Sequence, residues 1–237
     1  AVANIENSNA TYIKCQFNNS YAHRAGGACS NENSITLMKN CVFTNCKAHL
    51  SAGTIYNNAG KISLLNCIGY YSTTNSTVSY EQAQFLLNTG GAVASIINST
   101  ILSNTKFIKP VIISNSTDTL KIYNSILWRN GFGGQIIDFS YDISNGNNEA
   151  PTNCDIRNSM LFKQQNTSFI ATTVGIEPKL TDPTNPAGLD RLMYSPDDGF
   201  KPCSCSKAIN AGNNSLNPET TDILGTNRIF NGTIDIG

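Results

Sequence analysis

An Asn-Cys or Asn-Ser pair recurs along the chain, and this recurrence constrains the fold more than any other feature. Successive pairs begin 26, 32, 26 and 34 residues apart, at Asn40, Asn66, Asn98, Asn124 and Asn158. A degenerate copy, Lys14-Cys15, lies 26 residues upstream of the first pair. Regular periods of this length are typical of solenoids, in which each repeat forms one coil of a stack. The sequence therefore predicts stacked coils, some of them lengthened by insertions.

The segments around each asparagine are short, apolar and bounded by turn residues. Ile35-Thr36-Leu37 and Leu120-Lys121-Ile122 are examples, and neither continues into a helical period. A coil of about 26 residues is too short for two packed helices but holds three short strands and three turns. We therefore predict an all-β fold, a right-handed single-stranded parallel β-helix, with residues 1–162 forming its coils.

Stacked coils bring equivalent residues to the inter-strand spacing of roughly 4.8 Å, so that like side chains form columns. We expect the five asparagines to be such a structural ladder, with amides that hydrogen-bond to each other and to turn backbone. The small residues beside them, at a tight turn, are Cys15, Cys41, Cys67, Ser99, Ser125 and Ser159. The three cysteines are expected to pack as thiols, while disulfides remain the alternative for the eight cysteines of the chain.

The sequence changes character after residue 162. Prolines cannot donate ladder hydrogen bonds, and six of them follow at Pro178, Pro183, Pro186, Pro196, Pro202 and Pro218. A solenoid leaves its last layer open to water unless an atypical element covers it. We therefore expect residues 163–237 to form no further regular coil and to close the C-terminal end of the same body.

Charge and hydropathy exclude two classes of partner. The formal net charge is zero and only 14% of residues are charged, so no basic patch for nucleic acid is expected. No run approaches the ~20 apolar residues that cross a bilayer, so we expect no membrane insertion within this segment. The opening residues lack the basic and apolar stretch of a signal peptide, which favours a mature or trimmed start. The oligomeric state is left open.

Several motifs resemble those of known β-helix repeats. Cys15-Gln16-Phe17, Ala25-Gly26-Gly27-Ala28 and Thr89-Gly90-Gly91-Ala92-Val93 resemble the Phe-containing and Gly-Gly-Ala motifs of repeats of the chlamydial polymorphic-membrane-protein type. From Ile122 onward the chain resembles the ends of large bacterial right-handed parallel β-helix surface proteins, which are commonest in the Bacteroidetes and related phyla. Motifs that carry this second likeness include the C-terminal Asp235-Ile236-Gly237.

The chain also departs from that pattern. Ser206-Lys207-Ala208 stands where these proteins usually have Ser-Pro-Ala, and the usual Ala-Tyr-Glu continuation and sorting region do not follow Gly237. The resemblance implies a segment of a longer protein that is secreted or displayed on the cell surface. It implies no fixed activity, because such β-helices serve as adhesins, as stalks and sometimes as polysaccharide-active modules. Glycans and other cell-surface components are the partners that it implies.

An enzymatic role would need clustered carboxylates. Parallel β-helix lyases and hydrolases use them for Ca²⁺ or for acid/base work, yet the acids before residue 118 are only Glu6, Glu32 and Glu81, at no common register. The candidates closest together are Asp138, Asp142, Glu149 and Asp155. They either border a groove with Arg129 or Arg157, or are solvated acids at the long Asn/Gly-rich loop 140–153. We predict a non-catalytic adhesin or stalk, with a polysaccharide lyase or glycoside hydrolase, or a carbohydrate-binding module, as alternatives.

Three groups of residues are candidate ligand sites. Tyr70, Tyr71, Tyr80 and Phe85 lie in the insertion that lengthens one period to 32 residues, and their rings could stack on sugars or instead cover the solenoid wall. Oxygen ligands suited to a Ca²⁺ cofactor are Asp182, Asn185, Asp190, Asp197 and Asp198, with ordinary hydrogen-bonded turns as the alternative. His23 and His49 are one coil apart and are interpreted as a stacked surface pair, with metal binding as the alternative.

Overall fold

The computed structural model describes residues 1–74, 83–103, 111–115, 117–129, 137–138, 153–162 and 172–237. Over these residues the chain is a parallel β-helix, which confirms the predicted β-solenoid. Three long parallel sheets, here called walls, run along the stack and enclose its core. A short fourth sheet lies beside them. Among the same residues, no helix is both long and apolar enough to cross a lipid bilayer.

Each wall takes one strand from each successive coil. The first wall contains β1 (Val2–Asn4), β5 (Cys29–Glu32), β9 (Ile55–Asn58), β13 (Leu86–Thr89), β16 (Ile112–Ser114) and β19 (Ile137–Asp138). The second contains β2 (Asn9–Ile13), β6 (Ile35–Lys39), β10 (Lys61–Leu65), β14 (Val93–Ile97), β17 (Thr119–Tyr123) and β20 (Cys154–Arg157). The third contains β3 (Gln16–Asn18), β7 (Val42–Thr44), β11 (Ile68–Tyr70), β15 (Thr100–Ser103), β18 (Ile126–Arg129), β21 (Met160–Leu161) and β22 (Thr173–Val174).

The remaining regular elements are small. The fourth sheet contains β4 (Tyr21–Ala22), β8 (Lys47–Ala48) and β12 (Thr73–Thr74). Near the end of the chain, a 3-10 helix spans Asn214–Leu216, and β23 (Ile229–Phe230) pairs antiparallel with β24 (Thr233–Ile234).

Strand register confirms the coil lengths inferred from the sequence. In the second wall the residues that follow one another in register are Thr11, Leu37, Ser63, Ser95, Lys121 and Asp155. Their spacings reproduce the predicted steps, including the two lengthened coils. Apolar side chains point inward as ladders, such as Leu64, Ile96 and Ile122, and all three are fully buried. The hydrophobic effect of these inward ladders is the main force that holds the coils in register.

The recurring asparagines occupy the turn between the second and third walls. The residues there have φ between 46° and 53° and are Lys14, Asn40, Asn66, Asn98, Asn124 and Asn158. This left-handed conformation is costly for most residues, and asparagine tolerates it best after glycine. The column therefore exists because of a backbone requirement. We predicted hydrogen bonds between the amides of this column. Among the described residues there is one, a long contact of 3.4 Å from Asn124 to Asn98.

The predicted Cys/Ser column lies directly beside this turn and links the coils. Ser125 Oγ accepts a hydrogen bond from the backbone N–H of Ser99 (3.2 Å), and Ser99 Oγ accepts one from Cys67 (3.0 Å). Each of these hydroxyls also donates to the carbonyl two residues before it. A side chain larger than serine or cysteine would displace these contacts, so the column is small.

A second asparagine column lies inside the solenoid, and the sequence analysis missed it. In register along the first wall are Asn4, Asn31, Asn57, Asn88 and Ser114. Asn31, Asn57 and Asn88 are fully buried, and each Nδ2 also donates across the corner to a backbone carbonyl. Buried amides need such partners, because an unpaired one costs about 1–3 kcal/mol. The signal was present as the spacings 27, 26 and 31 between these asparagines.

Candidate functional site

The outer face of the third wall, here called the flank, is apolar. Val42, Ile68, Leu102, Ile126 and Met160 point away from the interior and are nevertheless buried. Residues 176–237, here called the C-terminal segment, cover them with Phe200, Ala208 and Ile236. The described contacts of the segment therefore run along the side of the solenoid. Closure of the end, predicted for residues 163–237, stays a prediction, since residues 163–171 lie outside the described ranges.

The turn asparagines tie the C-terminal segment to successive coils. Their amides donate hydrogen bonds outward, from Asn66 to the carbonyl of Thr221 (2.9 Å), from Asn98 to Oδ1 of Asn217 (2.7 Å) and from Asn124 to the carbonyl of Asn213 (3.0 Å). At the N-terminal end of this row, Lys39 forms a 2.6 Å salt bridge with Glu219. Tyr194 donates from its hydroxyl to the carbonyl of Asn40 (3.0 Å). One segment thus spans several coils, with a polar contact at each.

A cavity of about 430 Å³ lies between the flank and the C-terminal segment. Ile68, Phe200, Ile223 and Leu224 give it apolar walls, and Tyr194, Asn98, Lys201, Arg228 and three aspartates add polar groups. The volume falls within the range of small-ligand sites. Asp222 is held by its own turn, where it accepts from the N–H groups of Leu224 and Thr226, whereas Asp235 accepts from the N–H of Asn210, in a distant part of the segment's sequence.

Arg228 is the most unusual group in this cavity. Its Nη2 donates to the carbonyls of Asn98 (3.2 Å) and Gly237, while its buried Nε has no acceptor among the described residues. Burial lowers the pKa of Arg228 to about 10, although the carboxylates of Asp222 and Asp235 act in the opposite direction. The guanidinium therefore stays charged at neutral pH and fixes the end of the segment to the coil of Asn98.

Tyr70 and Phe85, two of the rings predicted to stack on sugars, are buried. Phe85 is 1% exposed and packs edge-on against Phe43 in the core, in the space left by Gly69, where an added Cβ would lie 2.5 Å from its ring. Tyr70 is 4% exposed beneath Phe200. Tyr71 is half-buried against Tyr70, and Tyr80 lies outside the described residues. The described rings thus fill the interior and cover the wall, which was the alternative interpretation.

The carboxylates proposed for Ca²⁺ accept hydrogen bonds from their own loop. Asp182 accepts from the N–H groups of Thr184 and Asn185, and Asp197 accepts from those of Leu189 and Asp190. Asp198 accepts from the N–H of Tyr194 (2.8 Å), and Asp190 from that of Leu192 (2.8 Å). This is the turn chemistry given as the alternative. In the described part of the chain, no three His, Cys, Asp or Glu side chains are grouped as metal ligands.

Asp155 is the one acid of the predicted groove whose side chain is described. It lies on the outer face of the second wall and accepts from Tyr123 Oη (2.6 Å) and Arg157 Nε (2.6 Å). Burial raises the pKa of Asp155, but these two bonds outweigh it and hold the pKa below its usual value. Burial and the Asp155 contact raise the pKa of Tyr123 to about 12. Asp142 and Glu149 lie outside the described residues, as does the side chain of Asp138.

Cys15, Cys41 and Cys67 lie in one column, and His23 and His49 form a second, shorter one. Each of the eight cysteines is a free thiol, and Cys41 and Cys67 are buried. His23 and His49 stack face to face with ring centroids 5.3 Å apart and planes 6° apart, as interpreted from their spacing.

Compared with known proteins, the chain matches no protein-family model and no curated sequence. Its function is therefore inferred from the fold and the contacts above.

Proposed function

We propose that this chain is a non-catalytic, rod-like segment of a large exported bacterial surface protein, acting as a stalk or an adhesin. The observation that carries this proposal is the row of hydrogen bonds from Asn66, Asn98 and Asn124 to the C-terminal segment. Each bond joins a different coil to the same C-terminal segment. A load that separates two coils must then break the hydrogen bonds to the C-terminal segment as well as those between the strands.

The chemistry of the described acids supports a structural role. Asp155 is engaged by Arg157 and Tyr123, and Asp182 and Asp197 are engaged by loop N–H groups. General acid or base catalysis requires a carboxyl that can reach a substrate and exchange its proton. A carboxylate that already accepts two or more internal hydrogen bonds is poorly suited to that task.

Mechanical unfolding tests the proposed role as a stalk. In a single-molecule pulling experiment, Asn66→Gly, Asn98→Gly and Asn124→Gly combined should lower the unfolding force, because glycine keeps the left-handed turn but removes the amides. The matched control is Asn19→Gly with Asn45→Gly, at another left-handed turn (φ 52° and 51°). Equal unfolding forces for the wild type and the triple variant would contradict the proposal.

Incubation with polysaccharides tests the absence of catalysis. Purified protein should leave polygalacturonate, alginate and neutral glycans uncleaved, with or without Ca²⁺. Unsaturated products or new reducing ends, abolished by Asp155→Asn or Asp138→Asn, would establish instead the lyase or hydrolase considered as an alternative.

Glycan binding is a second candidate function, favoured by the cavity between the flank and the C-terminal segment. Its mixture of aromatic, amide and carboxylate groups suits a sugar of one or two rings. Leu224→Trp should fill the cavity and abolish binding on a glycan array, whereas Leu192→Trp, at an exposed position outside it, should not. Unchanged glycan binding by the Leu224 variant would exclude this site.

A further inference from the structure

His23 and His49 form a preorganised pair on the surface. Each follows a strand of the fourth sheet directly, and Ala22 and Ala48 are register partners in that sheet. His49 N–H donates to the carbonyl of Ala22 (3.0 Å), and Ala25 bridges to Ser51 on the far side. The backbone is thus fixed before and after each histidine. Both side chains are exposed.

We propose that His23 and His49 together bind one divalent transition-metal ion, of the class that prefers imidazole nitrogen, with water completing its coordination. Imidazole suits Zn²⁺, Ni²⁺ and Cu²⁺. Zinc–nitrogen bonds are about 2.0–2.1 Å long, and at a tetrahedral zinc two ligating nitrogens lie about 3.3 Å apart. The parallel rings are 5.3 Å apart. Because the lone pair of each nitrogen lies in the plane of its ring, both rings must rotate out of the parallel stack until their lone pairs converge on one ion, which exposed side chains can do.

The fixed strand register gives the pair an advantage over two independent histidines. The strand register sets the distance between the rings before the metal arrives, so little backbone entropy is lost on binding. Arg24 and Lys47 are the cationic neighbours, and they oppose a bound cation electrostatically. Arg24 is exposed and its charge is screened by solvent, which limits this penalty.

The chain contains only two histidines, so their ring signals can be followed individually. In the tag-free full-length chain, titration with Zn²⁺ should shift the NMR signals of both rings together and saturate at one equivalent. Calorimetry should show that His23→Phe and His49→Phe, which keep a stacked ring but lack its nitrogens, each lose at least about tenfold in affinity. Melting temperatures should stay unchanged, because both positions are exposed.

Thiols are the competing zinc ligands. The control for zinc binding by thiols is therefore the double variant Cys203→Ser with Cys205→Ser. Cys205 is the only exposed cysteine among the described residues, and Cys203 lies two positions before it. Zinc affinity should be unchanged in that variant. Ring signals that do not move, equal affinity in the phenylalanine variants, or loss of binding in the serine variant would each overturn the proposal.

Discussion

Asn31 donates a 2.7 Å hydrogen bond from Nδ2 to Oδ1 of Asn57, one coil further along the solenoid. Asn57 makes the same 2.7 Å contact with Asn88, and Asn88 donates to Ser114 Oγ at 3.2 Å. In this row of hydrogen bonds, each of the three asparagines both donates and accepts, and all three are buried. The polar ladder therefore adds to the apolar ladders in setting the coil register, because a slip of one residue would leave buried amides without partners.

Asn57→Ala should lower the free energy of unfolding by about 1–3 kcal/mol, because Asn31 and Asn88 each lose a buried partner. Chemical denaturation measures this change. Asn9→Ala, an exposed asparagine of β2, serves as the control and should stay within about 0.5 kcal/mol of the wild type. An Asn57 variant as stable as this control would show that the ladder contributes nothing.

Asn98 combines a left-handed turn with a tie to the C-terminal segment, and two substitutions separate these roles. Asn98→Gly keeps the φ of 51° and loses the 2.7 Å bond to Asn217, so it should cost about 1 kcal/mol. Asn98→Leu also forces a left-handed leucine, which adds about 1–2 kcal/mol. Denaturation curves should rank the wild type above the glycine variant and the leucine variant last. The reverse order of the two variants would refute the backbone explanation of this column.

Asp118 organises the glycine corner after β13. Its Oδ1 accepts from the N–H groups of Gly91 (2.7 Å) and Ala92 (2.9 Å), and its Oδ2 accepts from Asn115 (2.9 Å). Asp118→Ala leaves three donors without this acceptor and should cost about 2–4 kcal/mol. Asp118→Asn, which keeps one carbonyl oxygen, should cost less. Thermal unfolding that ranks the two variants equally would contradict this role.

The Asp155 contacts should make stability depend on pH. Its folded pKa is depressed, so the carboxylate contributes stability above the pKa of about 3.9 in the unfolded chain and loses it as pH falls through the lower folded value. The difference in unfolding free energy between the wild type and Asp155→Asn should shrink from pH 6 to pH 2. Tyr123→Phe should weaken this dependence, since it removes one of the stabilising bonds. A difference that stays constant over that range would argue against the contacts.

The coil register could be predicted because one physical requirement marks it repeatedly. A left-handed turn in every coil favours asparagine, so Asn40, Asn66 and Asn98 carry the period in a form that survives insertions. The place of Phe85 could not be predicted in this way. Its ring enters the core only because Gly69, in the preceding coil, leaves room for it. That pairing depends on three-dimensional packing and has no period.

The covering of the flank was missed although the sequence contains a sign of it. Ile126-Leu127-Trp128 is a continuous apolar run, which is typical of a strand buried on both faces. The third wall therefore needs a covering layer as well as a core. The predicted calcium loop stays a prediction for a related reason, because composition alone does not distinguish a carboxylate that faces a metal from one that accepts from the N–H groups of its loop, as Asp197 does.

The covering of the flank by residues 176–237 is the central structural claim, and Trp128 reports on it directly. Trp128 is the only tryptophan, is 8% exposed and belongs to the same apolar cluster as Phe200 and Ile236. In the intact chain its fluorescence should be blue-shifted and protected from acrylamide. A chain ending at Gly175 should show red-shifted, readily quenched emission and should self-associate. The double variant Phe200→Ser with Ile236→Ser, in the full-length chain, should show part of that change. A monomeric truncated chain with the emission, quenching and melting temperature of the intact protein would contradict the account.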